Sequence, residues 1–211
     1  MGERIGHMQG IDYLHFIVPG IILMTVIMQS YANTVSSFFM TKYNHSFEEL
    51  LVSPVPNWVI LLGFVSGGVA RGLCVGLAVT FAISFFIELS VYSYGILAVS
   101  FLLTAVMFAL AGFINAIFAK SFDDISIVPT FVLLPLTYLG GMFYSIDILP
   151  SFWRSISTFN PIFYMMDGFR LGMLGVGSTD LYLAFIVPLA MIVTLACIAL
   201  YLLKKGVNTK T

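Results

Sequence analysis

Few residues in this sequence could do chemistry, and Arg71 stands in the costliest place among them. It sits mid-way along an apolar run, in Gly67-Gly68-Val69-Ala70-Arg71-Gly72. A charge inside a bilayer is expensive, so Arg71 is expected to face protein or water. There it either lines a path for an anionic group or pairs with a polar residue or backbone carbonyls in a helix seam. The nearby Gly63, Gly67, Gly68, Gly72 and Gly76 let a second helix come close along one side, which favours the seam. Glu88, at the far end of the same run, suits capping or solvation better than catalysis.

No other group of residues converges on a reaction. Cys74 and Cys197 both fall in apolar runs and form no CxxC pair, so neither a disulfide framework nor a zinc site is expected. His7, His15 and His45 are scattered. A phosphate-binding loop of the G-x-x-x-x-G-K-[ST] type requires Gly-Lys, and no lysine here follows a glycine. The expectation is a chain that is not an enzyme, with no catalytic residue, no metal site and no ATP site of that kind.

The elements that would position these residues are membrane helices. Of the 211 residues 60% are hydrophobic and only 9% charged, and mean hydropathy is +1.03. Soluble chains carry roughly a quarter charged residues. A net charge of -1 leaves no basic patch for nucleic acid. Apolar runs near 16–39, 58–86, 94–118, 127–143 and 181–203 reach the length of about 20 residues that a bilayer crossing needs. None alternates with the period of a barrel strand, so the reading is an all-α integral membrane protein, one permease-like domain over residues 1–211. Pro129 and Pro135 remove backbone donors from the fourth span and are expected to bend it or set its packing.

Lys42, Lys120, Lys204, Lys205 and Lys210 follow the first, third and fifth spans, hence one face; Arg4, Arg154 and Arg170 belong to the other. The bias points the lysine face, and with it the C-terminus, to the cytoplasm. No cleavable signal peptide is evident. Residues 1–15 resemble a loop between spans, so an additional span is expected upstream.

Two connecting stretches have their own patterning. On the lysine side, Ser46 and Glu49 have capping-box spacing, and Phe47, Leu50 and Leu51 share a face. Pro54 and Pro56 then end the element, leaving a short helix over 46–52 that suits a cytoplasmic partner better than anionic lipid, given Glu48 and Glu49. The carboxylates of 120–126 could cap the fourth span. On the opposite side, 146–175 breaks at Pro150 and again at Asn160-Pro161. Phe152, Ile156 and Phe159, then Phe163, Met166 and Phe169, keep helical spacing. Two short amphipathic helices joined by a sharp corner are expected, Asn160 capping the second and Pro161 opening it.

Taken together, FEELLVSPVP, GGVARG, AKSFDDISIVPTF, PLTYLGGMFYSI, LPSFWRSIS and NPIFYMMDGFR resemble the permeases of type-two ATP-binding-cassette exporters, above all the YadH-like bacterial inner-membrane permeases. The resemblance covers about residues 4–175 and implies a permease pair, expected to be a homodimer, on two cytoplasmic ATPase subunits that hold ATP and magnesium. By the same resemblance Ser46, Phe47, Glu48, Glu49, Leu50 and Leu51 correspond to the coupling helix. Pro150, Phe152, Trp153, Asn160, Pro161, Tyr164 and Arg170 correspond to an external re-entrant element roofing the path. The family has six spans, and the first has no counterpart in this sequence. The cargo would be amphipathic or lipid-like, and no residue is assigned to binding it. The alternatives are a secondary transporter or channel without an ATPase, which would want intramembrane carboxylates or matching repeats, and a truncated structural subunit.

Overall fold

The computed structural model describes residues 7–8, 11–47, 54–144 and 150–206. Two short strands, β1 (His7–Met8) and β2 (Ile11–Asp12), pair antiparallel and lead into an otherwise helical chain. The helices are α1 (Tyr13–Tyr43), α2 (Asn57–Ser84), α3 (Tyr94–Phe118), α4 (Phe122–Val128), α5 (Leu134–Leu139), α6 (Ser151–Phe159), α7 (Pro161–Leu174) and α8 (Leu181–Lys205). A π-helical turn, Pro129–Leu133, joins α4 to α5. Among the described residues five segments are long and apolar enough to cross a membrane: α1, α2, α3, the composite 122–139 and α8. This is an all-α integral membrane fold.

Helix α1 is the central post. Its Ile22, Leu23, Val26, Ile27, Tyr31 and Phe38 are buried between α2 and α3. Lipid offers no hydrophobic drive for helices to associate, so close backbone approach has to supply the contact. Glycines make that approach on both sides. A Cβ on Gly112 of α3 would lie 2.6 Å from the Tyr31 carbonyl oxygen, and one on Gly76 of α2 would lie 2.6 Å from Val26 Cγ2. Gly68 and Gly72 of α2 face Ser30 and Thr34 in the same way. The glycine run around Arg71 is therefore a packing seam, with one exception: nothing lies within 4 Å of a Cβ placed on Gly63.

The composite fourth span shows what its prolines do. Ser121 accepts from the Asp124 N–H at 3.2 Å, and Asp124 Oδ2 accepts from the Lys120 and Ser121 N–H groups at 2.8 and 3.0 Å. This is a capping box, so a loop carboxylate does start the helix. Pro129 then opens a wider turn closed by the Leu134 N–H on the Pro129 carbonyl. One extra residue in the turn rotates the helix faces on either side of it and takes up part of the misfit that Pro135 imposes.

Candidate functional site

The two ends of the bundle are built differently. At one end α6 and α7 form the expected corner. Asn160 Oδ1 accepts from the Ile162 N–H at 3.0 Å, capping α7, while its Nδ2 donates to the Leu136 carbonyl of α5 at 2.6 Å. Pro161 takes the first helical position, where its missing N–H costs nothing. Tyr164 Oη donates back to the Thr158 carbonyl at 3.0 Å, and the Arg154 N–H bonds the Pro150 carbonyl at 3.0 Å to open α6.

The helices of this pair differ in surroundings. In α6, Phe152, Trp153 and Phe159 are exposed, Phe159 at 90%, and only Ser157 is buried. In α7 ten of the fourteen residues are buried, Phe163, Met166 and Phe169 among them. At about 1.5 Å per residue neither reaches the roughly 30 Å of a hydrocarbon core. The strongly one-sided character expected of both belongs to α6.

Three sets of polar contacts fix α7. The Tyr92 and Ser93 N–H groups, just ahead of α3, donate to the Met173 and Gly172 carbonyls at 3.2 and 2.9 Å. Gly172 permits this, since a Cβ there would stand 2.7 Å from the Leu97 nitrogen. Asp167, 2% exposed, accepts from the Ser178 N–H at 2.8 Å and from the Thr179 N–H and hydroxyl at 2.8 and 2.5 Å, pinning the loop into α8. Arg170 donates to the Gly141 carbonyl at 2.7 Å and lies 4.0 Å from the centre of the Phe16 ring of α1. Burial pushes the Arg170 pKa down to about 10, with Asp167 pushing the other way, so it remains a cation at neutral pH. Asp167 is the residue that sequence reasoning missed. Its signal was a lone carboxylate in an apolar helix ahead of a Ser-Thr turn.

The opposite end carries the lysines. Lys42 Nζ, at the end of α1, donates to the Ile117 and Ala119 carbonyls at 3.0 Å each and so caps α3 with a cation where the helix dipole is negative. Lys204 and Lys205 occupy the last turn of α8. Ser46 is exposed, but Phe47 is 1% exposed and meets Phe38 edge-on at 4.9 Å. Phe38 in turn touches Phe64 of α2 and Phe113 of α3. Phe47 is thus a fastening ring in the core. Glu48, Glu49, Leu50 and Leu51 lie outside the described residues, as do 145–149 ahead of α6.

Arg71 is exposed and donates to Asn33 Oδ1 of α1 at 3.4 Å. It borders an open-sided cavity of about 420 Å³ between α1, α2 and the α4–π turn. Among the described residues Arg71, Arg170 and Phe47 have separate partners: Asn33, then Gly141 and Phe16, then Phe38.

Comparison with known proteins adds family information. The description "ABC-2 type transporter" fits residues 2–174. The Inner membrane transport permease YadH of Escherichia coli (strain K12) is 53% identical over 98% of this chain and 80% of the relative. Nodulation protein J of Rhizobium leguminosarum bv. viciae is 22% identical over 83% of this chain and 68% of its own length. The corresponding protein of Rhizobium meliloti (strain 1021) is 23% identical over 83% and 67%.

Proposed function

We propose a working cycle for a chain that belongs to the ABC-2 type transporter family and is a membrane permease subunit of an ATP-binding-cassette transporter. Its single permease domain acts as an exporter in a bacterial inner membrane, the compartment that the name of the Escherichia coli relative carries. Two copies form the path, and separate cytoplasmic ATPase subunits bind ATP and magnesium. The lysine end, with the C-terminus, faces the cytoplasm, and α6–α7 roof the path on the other side.

The observation that carries this reading is the contrast between the ends. Lys42, Lys120, Lys204 and Lys205 gather at one, and at the other a buried helix with an exposed aromatic partner closes the bundle. In the cycle, closure of the ATPase pair presses on the 46–52 segment, which takes the coupling role. The press reshapes the cavity between two permease copies, and cargo that binds the inward and outward states unequally makes the cycle directional. The cargo is amphipathic or lipid-like, matching the aromatic face of α6.

Two measurements test the reading. Purification of the tagged chain in mild detergent should bring down an ATP-binding-cassette ATPase; its absence, or transport of cargo by the purified chain alone, overturns the assignment. In a background with Cys74→Ala and Cys197→Ala, a membrane-impermeant maleimide applied to spheroplasts should label Phe159→Cys and spare Ser46→Cys. The reverse pattern inverts the topology.

A further inference from the structure

We propose that the cavity beside Arg71 is an anion-recognition site for cargo: it receives the phosphate or carboxylate head of an amphipathic molecule. The inference rests on the permease reading and supplies what that reading lacks, a residue that touches cargo.

The first observation is charge. Arg71 is the fifteenth residue of α2, about 21 Å along a helix that crosses the membrane. Among the described residues its guanidinium has one hydrogen-bond partner, the neutral Asn33 amide at 3.4 Å, the long limit of a hydrogen bond. Among the described residues no carboxylate pairs with it, and none lines the cavity. A cation held this way inside a bilayer requires an anion or water, and Arg presents a planar fork that matches a carboxylate or phosphate with two parallel bonds.

The second is placement. Side chains on a helix lean toward its N-terminus, which for α2 lies at the lysine end. The guanidinium therefore leans toward the walls that Ser36 of α1 and Ser126 of α4 contribute. Ser36 lies about 10 Å and Ser126 about 6 Å from the lysine ends of their helices. Cargo entering from the lysine side meets Arg71 before it meets α7.

The third is construction. Asn33 accepts from Arg71 at Oδ1 and so holds the guanidinium from the α1 side, at the edge of the cavity that Arg71 lines. Pro129 and Thr130 form the opposite wall at the point where the helix departs from α geometry, and π turns of this kind recur at functional sites. Val35 and Pro129 give the apolar surface that the first carbons of an acyl chain would cover.

The test uses the purified full chain in detergent, without any ATPase, and follows its melting temperature with dodecyl phosphate, dodecanol or dodecyltrimethylammonium. Dodecyl phosphate should stabilise the wild type at a concentration lower by at least about tenfold than it needs with Arg71→Gln, the lower end for one charge pair in a partly wet site. The alcohol and the cation should not distinguish the two proteins. Thr130→Phe, which fills the cavity and leaves Arg71 in place, should show the same loss, and it decides the matter if Arg71→Gln does not fold. Equal responses of wild type and variants overturn the site. A fall in oligomeric mass of Arg71→Gln by light scattering also overturns it, because the missing anion is then a carboxylate of a second copy. A chain that recruits an ATPase yet shows no Arg71-dependent response refutes this inference alone. A response that survives without any ATPase partner keeps the site and refutes the transporter cycle.

Discussion

The guanidinium of Arg170 stacks on the ring of Phe16 with 4.0 Å between its central carbon and the ring centre, and from there it reaches the Gly141 carbonyl at 2.7 Å. One side chain thus joins α7, the start of α1 and the turn after α5. The planar guanidinium meets the ring while an edge N–H reaches the carbonyl, a flat geometry that a lysine ammonium does not share. Arg170→Lys should lower stability by about 1–2 kcal/mol, and Arg170→Met, which leaves the buried carbonyl without its donor, by about 2–3 kcal/mol. Thermal unfolding in detergent measures both, and a lysine variant as stable as the wild type removes the stacking from the account.

Gly112 and Gly63 are both glycines on membrane helices, yet they should behave in opposite ways. A Cβ at position 112 meets the backbone of Tyr31 at 2.6 Å, and a backbone cannot rotate aside. Gly112→Ala is expected to push α1 from α3 and to cost about 1–3 kcal/mol. Gly63→Ala meets nothing and, with alanine's better helix propensity, should be neutral or stabilising by up to about 1 kcal/mol. Comparable losses in both variants would show that helix propensity, not interhelical spacing, sets the result.

Phe47 is a stability residue by position. Its ring is 1% exposed and packed on Phe38. Phe47→Ala should cost about 3–5 kcal/mol, and Phe47→Glu should prevent accumulation of folded protein. Ser46→Ala at the exposed neighbouring position should leave the melting temperature within a degree or two, about 0.5 kcal/mol. Fluorescence-detected size exclusion after heating reads all three. Transport defects from substitution at 47 therefore require a folding control before they report on ATPase contact.

Lys42 ties two parallel helices at their ends. Lys42→Met removes both bonds to the α3 terminus, at 3.0 Å each, and should cost about 1.5–3 kcal/mol. Lys120→Met, for which no bond from the ammonium is seen among the described residues, should cost less than about 0.5 kcal/mol. Hydrogen exchange should accelerate at the last turn of α3 in the first variant only.

Much of the architecture could be read from apolar run length, because a bilayer imposes one dominant requirement on a spanning segment. Local punctuation was legible too: Asn160 and Pro161 set the corner, and the carboxylate of Asp124 starts the fourth span. What stayed hidden are contacts between residues far apart in sequence. Nothing around Phe47 distinguishes a ring that packs inward from one that faces a partner, since both keep helical spacing. Lys42 reads as a topology signal, and its bond to a carbonyl 75 residues on depends on how α1 meets α3. Asp167 is bound by two backbone amides that no spacing rule anticipates. The wide turn at Pro129 is a third case: proline forecasts a disturbance, and packing decides its form.

The uneven anchoring of α6 and α7 has a mechanical consequence. One helix is stitched to α3, α8 and α1; the other follows the corner at Asn160, with Ser157 as its one buried side chain. The cover over that end therefore has an anchored half and an exposed half. Displacing α6 pulls none of its own aromatic rings out of the bundle, whereas displacing α7 would uncover Phe163 and Phe169.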